Sequence, residues 1–183
     1  FYHAALLPNG RLVIALGDVS GKGLESAVYA YMAKYMLVAY ILDTPEPDRL
    51  LSRLNDALAL QGVENKFATM AYLLIELDTG IIHYGNAGHE PAICCTPGND
   101  DPSILQPTGI ALGVEAERTY SSQPIELQPG GQLVIYTDGL SEAGPPDDQL
   151  GTDGIADSAG QYCQESSIKL LDIIYAAAMK RSP

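Results

Sequence analysis

Positive charge is scarce in this 183-residue chain: ten Lys and Arg stand against 23 Asp and Glu, a formal net charge of −13. No basic stripe is available to replace the counterions of a nucleic acid, which argues against that class of partner. The acid surplus has two readings, solubility and the attraction of cations. Cysteine is scarce as well. Cys94 and Cys95 are adjacent and leave Cys163 without an obvious partner, so no even framework exists. The natural reading is a reducing, cytoplasmic compartment in which the thiols serve as small core residues. Neither the cysteines nor His3, His83 and His89 show zinc spacing. A long hydrophobic run is also missing. The most apolar stretch, residues 27–42, is broken by Lys34 and spotted with four tyrosines, so no membrane insertion is expected, and no signal peptide opens the chain.

What is present is the composition of a globular protein, 46% hydrophobic and 18% charged, long enough for one domain around one substantial core. Residues 1–7 and 11–16 read as strands joined by Pro8-Asn9-Gly10, a turn with Asn and Gly for positive φ. A helix is expected over 24–42; its small and apolar residues lie all round, which predicts packing on more than one side. Asp48 suits the N-cap of a second helix with Leu51, Leu54 and Leu58 as its apolar stripe. From Phe67 the pattern becomes strand-like, with strands at 67–77 and 81–84 around Asp78-Thr79-Gly80, and another at 92–95. Residues 97–102 read as a polar loop, followed by strands at 120–127 and 132–137. The Gly-, Pro- and Asp-rich segment 144–161 reads as a mobile loop with one short turn. A last helix spans 166–180 with Ile168, Leu171, Ile174 and Tyr175 on one face. No internal repeat is visible. Hairpins with two early helices and one late one predict an α+β fold of packed sheets with helices outside.

The segment Gly17-Asp18-Val19-Ser20-Gly21-Lys22-Gly23 looks like a phosphate-cradling loop, but the P-loop pattern fails at both ends. Leu16 stands where the first Gly belongs, and Gly23 where the hydroxyl belongs. The dinucleotide pattern fails too, because Val19 replaces a Gly. What remains is an acid leaving a buried strand. Asp18 is either a ligand for an oxygen-preferring cation such as magnesium or manganese, or the cap of the following helix. The stretch Leu133-Val134-Ile135-Tyr136-Thr137-Asp138-Gly139 repeats the same grammar. Two such strand ends, converging in a sandwich, would make one acidic cleft. No Ser-His-Asp or Cys-His constellation offers a protein nucleophile.

Four motifs in order, GDVSGKGLESA (17–27), FATM (67–70), YGNAGHEPAI (84–93) and LQPGGQLVIYTDGLSEA (127–143), resemble the SpoIIE/RsbU-type bacterial serine phosphatases. These belong to the PPM (type 2C) metal-dependent protein phosphatases. The similarity runs from Phe1 to about Ile155. It implies a four-layer αββα sandwich of two mostly antiparallel sheets flanked by helices, holding two manganese or magnesium ions. By position Asp18 resembles the acid that bridges both metals, the Val19 carbonyl a further ligand, and Asp138 an acid on one metal. The catalytic residues implied are thus Asp18 and Asp138, acting through metal-activated water. His89 has two readings, a proton donor to the leaving serine oxygen or a fixture of the 86–91 turn. Glu142 matches the pattern as a structural partner. Lys22 faces either solvent or the substrate phosphate.

The chain departs from the family pattern at both edges. A Gly-Gly-Asp precedes the equivalent of Phe1-Tyr2 in the family, His3 stands where another Asp is usual, and an Asp-Asp-x-Thr strand lies beyond the equivalent of Pro183. Asp147-Asp148 lacks the Thr. The expectation is a single phosphatase domain over 1–183, truncated at both ends and weak in metal binding. The substrate implied is a phosphorylated anti-sigma-factor antagonist, with a sensor or receiver domain upstream. The competing reading is a degenerate domain that binds a partner without hydrolysis. The apolar helix at 24–42 suits a homodimer or a switch as well as ordinary core packing.

Overall fold

Pro8-Asn9-Gly10 turns the chain back on itself as its composition predicts, with Asn9 and Gly10 both at positive φ (66° and 67°). The computed structural model describes residues 1–63 and 65–181. Along the chain run β1 (Tyr2–Leu7), β2 (Arg11–Val19), α1 (Leu24–Ile41), α2 (Pro47–Leu60), β3 (Ala68–Glu76) and β4 (Ile81–Ala87). There follow β5 (Ala92–Thr96), β6 (Asn99–Leu105), β7 (Gln123–Glu126), β8 (Gln132–Val134), α3 (Asp138–Ser141), α4 (Gly151–Gln161) and α5 (Ser167–Met179). They form two compact units, Phe1–His89 with Pro107–Glu126, and Glu90–Gln106 with Leu127–Pro183.

The first unit holds a five-stranded antiparallel sheet in the order β1-β2-β3-β4-β7. Alternation along each strand sorts its faces. Val13 and Ala15 of β2 and Ala68, Met70, Tyr72 and Leu74 of β3 turn toward the helices. They form one core with Tyr29, Ala33, Leu37 and Ile41 of α1 and Leu50, Leu51, Leu54 and Leu58 of α2. The stripe expected on α2 is therefore real. Its cap is Glu46 instead of Asp48, because Pro47 takes the first helical position, where its fixed φ suits and its missing N–H costs nothing. On α1 the expected packing on several sides is corrected. One face is buried, while Leu24, Val28, Tyr31, Tyr35 and Leu42 are exposed.

The second unit has a three-stranded antiparallel sheet, β6-β5-β8. Three expectations fail in it. Residues 99–105, placed partly in a loop, form the edge strand β6; its exposed, acidic, Pro102-bearing sequence is what an edge tolerates and what a reader of hydropathy misses. The segment 144–161 contains the regular helix α4. Its Ala156, Ala159 and Gly160 are small because the helix lies close to β6: a Cβ on Gly160 would stand 2.7 Å from the Asp100 carbonyl. Helix α5 is capped by Ser166, whose side chain accepts from the Lys169 N–H, but its buried face is Leu170, Ile174 and Ala178. Ile168, Leu171 and Tyr175 are exposed. The cysteine reading is corrected as well. Cys95 and Cys163, both buried, are joined as a disulfide across a sequence separation of 68. Cys94 is free, and burial raises its thiol pKa, which keeps it protonated.

Two antiparallel sheets, each with its own helices, give the α+β class expected. No helix among the described residues is long and apolar enough to cross a membrane.

Candidate functional site

Strand β2 carries its pairing three residues beyond the expected end, so Asp18 and Val19 sit on the sheet and not in the loop. Their register partners on β3 are Thr69 and Ala68. Asp18 shares a sheet face with Thr69, since directly opposed side chains project to the same side, and that face is the one turned away from α1 and α2. The half-buried Asp18 carboxylate accepts from the Val19 N–H through Oδ1 at 2.8 Å. This bond fixes the carboxylate on its own strand and makes no contact with the start of α1, whose cap, Gly23, has no side-chain bond. The helix-cap reading of Asp18 is thereby removed.

The loop after Val19 is pinned from three directions. Ser20 donates its N–H to the Phe67 carbonyl at 3.0 Å and accepts on Oγ from the Phe67 N–H, also at 3.0 Å. Ser26 Oγ donates to the Ser20 carbonyl at 3.1 Å, and Lys66 Nζ donates to Ser26 Oγ at 2.9 Å. Gly21 and Gly23 take φ of 81° and 91°, a region that side chains resist. Gly17 meets a different demand: a Cβ there would stand 2.7 Å from the Phe1 ring. Lys22 is exposed.

The NAGH segment reaches the same neighbourhood from β4. Asn86 is buried; its Oδ1 accepts from the His89 N–H at 2.7 Å and its Nδ2 donates to Tyr84 OH at 2.6 Å. The buried His89 ring bonds Thr69 Oγ1 through Nδ1 at 2.8 Å. His89 thus ties down its turn, as the turn-fixture reading requires, and through Thr69 it also borders Asp18. Thr69 was not singled out in the sequence. The only sign of it was its place inside FATM, because pairing across two strands is invisible in a linear reading.

Asp138 lies in the second unit, as the first residue of the four-residue helix α3, with Thr137 at the cap. Its carbonyl accepts from the Glu142 N–H at 2.7 Å, and its side chain is exposed. Glu142 is exposed too, so its matched position is held through its backbone. Ser141 Oγ lies 3.2 Å from Glu90 Oε2, a link between the NAGHEP and TDGLSEA motifs. Val19, Asp18 and Asp138 present only oxygen donors, the chemistry that suits a hard divalent cation. Among the described residues no group of three or more His, Cys, Asp or Glu side chains stands together to hold a metal ion.

Comparison with known proteins agrees with these motifs. The family described as Stage II sporulation protein E (SpoIIE) matches residues 8–182. The phosphoserine phosphatase RsbU of Bacillus subtilis is 25% identical over 179 residues, covering 98% of this chain and 53% of RsbU. Among solved structures, the PP2C phosphatase domain with a regulatory-domain fragment of SpoIIE from Bacillus subtilis superposes with a TM-score of 0.81 at 16% identity. That match covers 99% of this chain and 53% of the other. RsbX in complex with magnesium gives a TM-score of 0.68 at 19% identity, covering 99% and 78%. These likenesses show the fold. The chain spans about half the length of RsbU.

Proposed function

Because the chain belongs to the SpoIIE family, we propose that it is the catalytic part of a metal-dependent phosphoprotein phosphatase, acting on phosphoserine or phosphothreonine. The observation that carries the reading is Asp18: an acid at the end of β2, its Oδ1 fixed by the Val19 N–H, followed by a loop tied down at Ser20. Such preorganisation makes a carboxylate a cation ligand without further ordering cost. Asp18 and the Val19 carbonyl would hold magnesium or manganese, and Asp138 would serve as an acid ligand on α3. When bound, such an ion supplies Lewis-acid polarisation and a water ionisable near neutral pH. RsbX, a structural neighbour, is known with magnesium, which supports the choice of a hard cation; two ions are proposed from the family resemblance.

The chain's own residues then have defined tasks. The fixed Asp18 carboxylate orients the ligand set, and Thr69 and His89 hold the border of that position by their bond. The substrate proposed is a phosphorylated anti-sigma-factor antagonist in the cytoplasm, since RsbU is a phosphoserine phosphatase; a sensor or receiver domain would occupy the remaining length of the full protein. The test is hydrolysis of a phosphoserine protein by the full-length protein with manganese. Loss of turnover in Asp18→Ala supports the proposal, and equal turnover with and without Asp18 sinks it. The non-catalytic reading, favoured by His3 where the family has an acid, predicts binding of the phosphoprotein with no phosphate released.

A further inference from the structure

Helix α3 is a single turn, too short to hold its own orientation, and it carries Asp138. Two kinds of contact seat it. Leu140 and Ala143 pack on the core of the second unit. Apolar contact of that kind is non-directional, so it sets the depth of the turn more than its angle. The directional contact is made by Ser141, the one residue of α3 that is buried. Its Oγ stands 3.2 Å from Glu90 Oε2 and 3.3 Å from the Asp138 carbonyl. A hydroxyl has one proton to donate. The Asp138 carbonyl already accepts from the Glu142 N–H at 2.7 Å, and a carboxylate is the stronger acceptor. The Ser141 proton therefore goes to Glu90.

Glu90 is in place to accept it because β5 and β8 pair antiparallel, with Ile93 opposite Val134. The residues leading into β5 run beside those leaving β8 toward α3. The Glu90 backbone is held on both sides. His89 before it donates its N–H to Asn86 Oδ1 at 2.7 Å, and Pro91 after it has a fixed φ. We propose that Glu90 is a positioning residue for the phosphatase reaction. Through the Ser141 hydroxyl it sets the angle at which α3 presents the Asp138 carboxylate to a divalent cation. Glu90 acts on Asp138 at second hand, as the outer partners of metal ligands do. The structural part expected of Glu142 thus falls to Ser141, since the Glu142 side chain is exposed. The consequence for turnover rests on the phosphatase reading; the seating of α3 by Glu90 does not.

The test uses the full-length protein in four variants. Glu90→Leu removes the acceptor, Ser141→Ala removes the donor, a third carries both changes, and Glu90→Gln keeps an acceptor oxygen without the charge. Manganese is titrated against phosphate release from a phosphoserine protein. Half-maximal turnover should need about tenfold more manganese, or worse, in Glu90→Leu and in Ser141→Ala, with KM for the phosphoprotein unchanged. The double variant should be no worse than the worse single one, because the same bond is lost either way. Glu90→Gln should lie closer to the unaltered protein than to Glu90→Leu. Amide hydrogen exchange without metal, read by mass spectrometry, gives a readout free of turnover. Peptides covering residues 138–142 should exchange faster in Glu90→Leu and Ser141→Ala, and Glu90→Gln should protect them. Unchanged manganese dependence overturns the proposal, as does exchange no faster than in the unaltered protein. So do additive losses in the double variant, or a Glu90→Gln as damaged as Glu90→Leu, which would make Glu90 act through its charge and not through Ser141. An unaltered protein that releases no phosphate defeats the phosphatase reading instead, and the exchange rates then uphold or overturn the seating of α3 by themselves.

Discussion

Asn55 is fully buried, and every polar atom of its side chain is used. Its Oδ1 accepts from the Gly113 N–H at 3.0 Å and from Tyr120 OH at 3.2 Å, and its Nδ2 donates to the Glu115 carbonyl at 2.9 Å. Asn55→Leu strands the Gly113 N–H and the Glu115 carbonyl and takes from the Tyr120 hydroxyl one of its two partners, the other being the Ala111 carbonyl, so the loss should be about 3 kcal/mol or more. At about 2–4 °C per kcal/mol for a chain of this size, the thermal midpoint should fall by at least about 6 °C, checked by circular dichroism. Tyr120 itself is pushed from its ordinary 10 up to about 12, chiefly by burial and then by the Asp56 charge, with Arg118 opposing. Burial raises Tyr72 and Tyr29 as well. A raised folded value on a phenol means that folding favours the neutral form. The Tyr120 share of the stabilisation is whole below about pH 10 and is lost as pH climbs toward 12; the midpoint in denaturant should fall across that range, and Tyr120→Phe should flatten its share. Asp18 could be found in the sequence because it leaves an apolar strand beside glycines. Asn55, Thr69 and Glu90 could not, because each acts on a partner far along the chain that no local pattern names.

At the scale of elements the same division holds. Helix α2 and the β3–β4 hairpin announce themselves by period and turn chemistry, and both are present. Helix α4 does not, since Gly154 and Gly160 depress helix propensity, while close approach to β6 demands Gly160 and the Leu150 side chain crowds Gly154. Gly160→Val should therefore destabilise, although it raises the side-chain content of a helix, and a lower thermal midpoint would show it. The Cys95–Cys163 bond staples β5 to the end of α4. Cys95→Ser with Cys163→Ser, or reduction, should cost about 2–4 kcal/mol by releasing a long loop in the unfolded chain. An unchanged midpoint with and without dithiothreitol would contradict it. The pairing was illegible because adjacent Cys94 and Cys95 are equal candidates until the strand sends one of them inward.

At the scale of the whole molecule, the motifs identified the family, and the fold agrees with it. The proposed donor set is small. Two carboxylates and a carbonyl would leave most of a cation's coordination to water, which the handling of magnesium by proteins permits but which does not favour tight binding. Manganese titrated calorimetrically into this chain should bind weakly; tight binding of two ions would show that the acids here suffice. The central claim is phosphatase chemistry dependent on Asp18, and it is tested most directly by phosphate release from a phosphoserine protein incubated with the full-length protein and manganese. The account predicts turnover that is abolished by chelation and falls at least about a hundredfold in Asp18→Ala, the scale of removing a principal electrostatic group. Turnover that survives Asp18→Ala undiminished, or none from the unaltered protein, would contradict it.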